Sequence, residues 1–270
     1  IFVLIITFLF SDWNNFNFSI FEEGMPLSGA TNFNLGLMPW VDIFLNTGFF
    51  HDMINAKVSW KLSGYQTIGS YKFFIILLNL ISNILILYLI YLLTSQIKEK
   101  KIRDLFFIST SIILLYTLKN AVLWKDIPTI IFLIYILKYL NFKNNFYITS
   151  ICFITLFSFF WSLDKGFFIF FTFVPFLFLI FLNNKKEFIK FLFILIFFLI
   201  LIVSVVKIEI LIEFLNHSKE IFSQHEVING IIHPTPFSDQ PNSTRASKTL
   251  LLIIINFILT ILITFKKEDY

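Results

Sequence analysis

The chain has 270 residues, 57% of them hydrophobic and 14% charged, with a mean hydropathy of +0.83 and a formal charge of +4. A soluble domain carries about 25% charged residues, so this composition excludes a water-coated globular domain and predicts a polytopic helical membrane protein. The basic residues stand in short clusters at the ends of apolar runs, which argues against nucleic acid as a partner. The single cysteine, Cys152, excludes an intramolecular disulfide.

Residues 1–10 form an apolar run shorter than the roughly 20 residues a membrane helix needs. We read it as the end of a truncated first helix, and 1–270 as a single membrane domain from a longer chain. A long polar interval, 11–71, follows. Apolar spans are then predicted at about 73–93, 105–118, 127–142, 146–163, 167–182, 189–206 and 249–265. The expected fold class is therefore all-α, a polytopic transmembrane bundle of about eight helices, with the long first loop carrying short juxtamembrane helices.

Charge placement sets the orientation. Clusters at 98–103, 143, 185–190 and 266–267 hold the lysines and arginines that mark cytoplasmic connections. The alternate connections, 11–71, 124–126, 164–166 and 207–248, are then outward. The residues with the most chemistry in them all fall on that outward set.

The stretch 21–64 is the richest. It holds Glu22, Glu23, Asp42, His51 and Asp52 among glycines and prolines. A short helix is predicted at 27–35, closed by Gly36 with Pro39 beyond. Trp40, after Pro39, is a large amphipathic ring suited to a membrane interface. A second helix is predicted at 49–62, with Phe50, Met53, Ile54 and Val58 on one side and Asp52, Asn55 and Ser59 on another. Lying on the membrane surface, it would hold Asp52 toward water.

Each of these residues has a plain role and a chemical one. Glu22 and Glu23 have the chemistry to bind a divalent cation, or for one of them to act as a general base; otherwise they are solvated loop charges. Asp42 and Asp52 are either turn and helix-cap residues or groups that orient a substrate hydroxyl, and Asp52 has the further option of orienting His51. Asp164 and Lys165 interrupt an apolar stretch, as a tight turn with a surface ion pair or as a place where Lys165 meets a lipid phosphate. The segment 124–126 has the same character. In the later loop, Arg245 meets lipid headgroups or binds phosphate with its planar fork. The spacing of His217, His225 and His233 matches no familiar metal-ligand pattern. Walker A, dinucleotide-binding, zincin and nucleophile-elbow motifs are absent from the sequence.

Taken together, Glu22-Glu23-Gly24, Leu27, Ala30, Asn32, Gly36, the run Pro39-Trp40-Val41-Asp42-Ile43-Phe44, Gly48, Asp52 and Gly64 resemble the first outward loop of the GT-C superfamily of membrane glycosyltransferases. These are relatives of the mannosyl- and aminoarabinosyl-transferases that use polyprenyl-phosphate sugars. Trp161-Ser162-Leu163-Asp164-Lys165-Gly166 is similar to an element of related bacterial proteins. The resemblance covers about 45 residues well and the rest by topology. It implies an enzyme of a bacterial inner membrane that moves a sugar from a polyprenyl-phosphate donor to a glycan, lipid or protein acceptor on the outer face. Glu23, or Glu22, would be the catalytic base or metal ligand. Asp42, His51, Asp52 and Asp164 would position substrate, and Lys165 and Arg245 would hold the donor phosphate. The alternative is a non-enzymatic transporter or flippase for a lipid-linked glycan. Such a protein should carry charged or broken helices near mid-span, whereas the spans here are nearly free of charge at their centres.

Overall fold

The computed structural model describes residues 20–117, 123–175, 177, 185–229, 235–240, 243–244, 246–251, 254–255 and 258; the side chains at 20–22, 115–117, 123, 173 and 225–229 are not among those described. Every regular element among them is helical, and the only bridge is the isolated pair Pro39 and Ile43. Residues Ile1–Ser218 form one compact unit and Lys219–Tyr270 a second.

In the first unit, helix α1 spans Ile20–Asn34 with Pro26 inside it. The helix begins seven residues before the expected start at 27: α1 runs through Pro26 despite the lost donor and the ring's clash with the preceding turn, with Leu27 and Ala30 packed against Ala56, Trp60 and Tyr71. Gly36, at φ 90°, closes the helix as expected. A π-helical turn at Phe50–Ile54 runs directly into α2, Asn55–Ser63, so the second predicted loop helix is present with a widened first turn. Ala30, Ala56, Trp60 and Tyr71 form the small core that joins α1 and α2 to α3, Ile68–Thr94. Thr67 caps α3, its hydroxyl accepting the N–H of Ser70.

Next come α4, Lys100–Thr117, a 3-10 turn at Leu123–Asp126, α5, Ile127–Phe142, and α6, Asn145–Trp161. Helix α7, Leu163–Phe168, passes into a second π-helical turn at Ile169–Phe173, and α8 spans Lys185–Val205. The main core lies between α5, α6 and α8 and includes Phe132, Ile136, Tyr139, Ile148, Ile151, Cys152 and Phe191. Helix α9, Ile208–Asn229, breaks at Gln224. Within the second unit, Gln240 accepts the N–H of Thr235, and Phe237 and Ser238 donate theirs to Ser247 and Ser243.

Among the described residues two helices, α3 and α8, are long and apolar enough to cross a membrane. Of the most apolar 18 residues of α8 only 6% are buried, which leaves Phe193, Ile196, Phe197 and Ile200 facing outward from the protein. The shorter apolar α6 has 17 residues and α5 has 16. At 1.5 Å per residue such helices reach about 24–26 Å, less than a hydrocarbon core of about 30 Å. Helix α4 has 18 residues, but its first turn holds Lys100, Lys101 and Arg103. The span expected at 167–182 is described only in part, and that at 249–265 lies mostly outside the described residues.

Candidate functional site

The site grows out of the turn that precedes the first π-helical segment. Gly48, at φ 150°, lets the chain reverse there. A Cβ at that position would stand 2.9 Å from the Cα of Ser162 and 3.2 Å from the carbonyl oxygen of Trp161. The neighbouring Thr47 carbonyl accepts the N–H of Leu163 at 2.6 Å. The first loop is thus pinned to the connection between α6 and α7 through backbone alone.

The π-helical turn then carries the chemistry. Asp52 is 2% exposed, not turned toward water as the amphipathic pattern of 49–62 suggested. Its Oδ2 accepts the N–H of Thr47 at 2.6 Å and of Gly48 at 3.2 Å, and its Oδ1 lies 2.6 Å from Nδ1 of His51. The reason is local: the reversal at Gly48 leaves the part-buried N–H of Thr47 and the buried N–H of Gly48 without backbone partners, and a carboxylate four and five residues on satisfies both. His51 is buried as well, stacked on Trp124 at 4.9 Å and 12°. Burial pulls the His51 pKa below the ordinary imidazole value. The bond to Asp52 opposes this shift, the charge of Lys125 adds to it, and those of Asp52 and Asp164 work against it.

The two short connections close over this pair. Phe50 stacks on Trp161 at 3.9 Å and 9°, and the Trp161 indole N–H donates to the Trp124 carbonyl at 3.3 Å. Trp124 in turn donates its backbone N–H to Asn79 of α3. Lys165 reaches across to Asp126 at 2.7 Å and also stands 3.7 Å from Asp164. Burial pulls the Lys165 pKa down, but the bonds and charges of Asp126 and Asp164 outweigh it and raise the pKa overall, so Lys165 stays protonated. The segments at 47–52, 124–126 and 161–166 therefore meet in one place. The pair is part-exposed, so a double-mutant cycle on Lys165→Ala and Asp126→Asn should give a coupling of about 1 kcal/mol in thermal unfolding; strict additivity would mean that the two segments are not held by this contact.

A cavity of about 620 Å³ lies on another side of Asp52, lined by Gly24, Met25, Ser28, Gly29 and Asn32 of α1 together with Asp42, Ile43, Phe44, Leu45 and Asp52. Asp42 is exposed, and its Oδ2 accepts the N–H of Met38. It therefore ties its own turn while bordering the cavity. Trp40, read from sequence as an interfacial ring, is 5% exposed and packs into the wall behind this turn.

Glu23 is elsewhere. Its carboxylate meets Lys72 of α3 at 3.1 Å, on the side of α1 that carries Leu27 and Ala30 into the α2–α3 packing. The side chain of Glu22 and the whole of Arg245 lie outside the described residues. So the structure brings Asp42 and Asp52 to one cavity and gathers His51, Asp52, Asp164 and Lys165 at one junction, while Glu23 stands apart. Among the described residues no three His, Cys, Asp or Glu side chains make a metal-binding group.

Sequence reasoning named Lys165 without its partner Asp126, and gave no role to Trp124 and Trp161. The signal was present, since 124–126 and 164–166 are both charged interruptions of apolar stretches, but nothing local says that they touch. No protein-family model, curated protein or solved structure matches this chain.

Proposed function

We propose that this chain is the membrane-embedded part of a glycosyltransferase that takes sugar from a polyprenyl-phosphate donor at the outer face of a bacterial inner membrane. In this reading the helices form a bundle of about eight spans in a single membrane domain, with 11–71, 124–126, 164–166 and 207–248 outward. One observation carries it: three segments assigned to the same face from charge alone, 47–52, 124–126 and 161–166, meet in a single cluster with buried acid–base groups.

The acceptor's hydroxyl oxygen would attack the anomeric carbon. A glycosidic C–O bond forms as the bond from that carbon to the phosphate oxygen breaks, and the electron pair leaves on the polyprenyl phosphate. Inversion at the anomeric carbon follows from direct displacement. Lys165 is placed to meet the phosphate charge, and Asp42 and Asp52 border a cavity where sugar hydroxyls can be bound. Glu22 or Glu23 and the His51–Asp52 pair are the bases available in the first loop. The transporter alternative draws support from buried polar atoms on the helices, Asn83 Oδ1 and Ser111 Oγ, which have no hydrogen-bond partner among the described residues.

The test uses the full-length chain in proteoliposomes with radiolabelled polyprenyl-phosphate hexoses and pentoses. Label is expected to move from the donor lipid to an acceptor fraction. Lys165→Ala should raise the KM for donor about 10- to 100-fold, the loss of one charge-assisted bond worth about 1.5–3 kcal/mol, with kcat little changed. If no donor loses its sugar while a lipid-linked glycan crosses the bilayer, the transporter reading replaces this one.

A further inference from the structure

Resting on the transferase reading and going beyond it, we infer that His51 is the group that takes the acceptor's proton, and that Asp52 is the residue that positions it. The geometry has the parts such a role needs. Asp52 has both oxygens engaged, one by two backbone N–H groups and one by His51, which fixes its carboxylate against the imidazole. In this proposal the contact at 2.6 Å is donation from Nδ1–H to Asp52 Oδ1, which puts the ring hydrogen on Nδ1. Nε2 is left with its lone pair and has no hydrogen-bond partner among the described residues.

The ring is also fixed in place. It lies flat on Trp124, which is held by Asn79 below and by the Trp161 indole above. The π-helical turn at Phe50–Ile54 is what brings positions 51 and 52 side by side under this stack, and such turns are frequent at functional sites. Around the imidazole stand Asp52, Lys125 and Asp164, whose charges act on it, with the Asp126–Lys165 ion pair alongside. A base beside Lys125 is where a hydroxyl approaching a bound phosphate ester would need one. Burial keeps the imidazole neutral at pH 7, its basic form. Glu23, by contrast, is turned to Lys72.

In the transfer step the acceptor O–H bond breaks as its oxygen bonds to the anomeric carbon. The proton goes to Nε2, the bond to the phosphate oxygen breaks, and polyprenyl phosphate leaves with the electron pair. The imidazolium then returns its proton to water or to the departing phosphate.

Two measurements test this on the full chain. The first is nitrogen NMR of histidine-labelled protein in detergent: His51 is expected to carry hydrogen on Nδ1 with Nε2 bare at pH 7.5, and an Nε2–H tautomer overturns the assignment. The second is transfer kinetics from the polyprenyl-phosphate donor. His51→Gln should lower kcat by about 10²- to 10⁴-fold with donor KM within a few-fold. His51→Ala should regain activity with added imidazole, which requires a folded protein. Asp52→Asn should shift the acid limb of kcat, and Glu23→Gln, which removes the competing base, should cost less activity than His51→Gln. If His51→Gln keeps its activity and Glu23→Gln loses it, the proton goes to Glu23: the transferase stands and His51 does not. If the unsubstituted chain transfers nothing from any donor, the transferase reading falls and takes this assignment with it.

Discussion

Gly48→Ala is expected to destabilise the protein by on the order of 3 kcal/mol, a drop of roughly 6–12 °C in Tm at this chain length. Two costs add. A residue with a side chain held at φ 150° pays about 1–3 kcal/mol in backbone strain. The new methyl would also sit 2.9 Å from the Ser162 Cα and 3.1 Å from the Leu163 nitrogen. Backbone atoms cannot swing away as the tip of a side chain can, so the 161–166 segment must move, at about 1–3 kcal/mol for overpacking. That movement breaks the Thr47–Leu163 hydrogen bond and separates Asp164 and Lys165 from the His51–Asp52 pair. Gly36→Ala is the control, since Gly36 also has positive φ but a Cβ there meets nothing within 4 Å. It should show the strain alone. Thermal unfolding of both variants decides the matter, and equal losses would mean that the close approach at Gly48 contributes nothing.

What could be read from the sequence follows from the range over which each signal acts. The end of α1 at Gly36 and the helix over 49–62 were legible because capping and apolar spacing are local. The start of α1 was not, because Pro26 reads as a boundary and only packing shows that the helix continues through it. Asp52 was assigned to the correct helix and the wrong environment. Its alternation with Phe50 and Met53 says polar face, but the carboxylate turns back to the Thr47 and Gly48 N–H groups and α1 packs closely on its backbone at Gly29. Phe50 and His51 beside it are covered by Trp161 and Trp124, more than 70 residues away in the chain. For the same reason Lys165 was recognisable as an unusual charge and Asp126 was not recognisable as its partner. The cavity beside Asp42 and Asp52 is tertiary in origin and left no trace in spacing.

The second large effect is expected at Trp40. Trp40→Ala should cost about 3–5 kcal/mol, the usual loss when a buried aromatic is cut back. The indole is 5% exposed, stacked on Phe49 at 5.4 Å, with its edge contacts made to Phe160 of α6 at 6.2 Å and Phe214 of α9 at 5.2 Å. It joins the first loop to two helices that are distant in sequence, so the void left by alanine is bordered by rings that cannot easily close over it. Trp40 also sits at φ 62°, a conformation that costs a residue with a side chain about 1 kcal/mol. The strain persists because the Trp40 N–H reaches the Ile43 carbonyl at 3.0 Å and Met38 is bound by the Asp42 carboxylate at 2.8 Å. The ring is thereby turned inward while Asp42, Ile43 and Leu45 are presented to the cavity. Two further variants separate packing from strain. Trp40→Phe should keep most of the stability, and Trp40→Gly should be no worse than Trp40→Ala, reversing the usual order of these residues. Glycine clearly below alanine in Tm would show that the backbone at 40 is not held in the left-handed region. A Trp40→Ala loss under about 1 kcal/mol would show that the indole does not anchor the turn that carries Asp42.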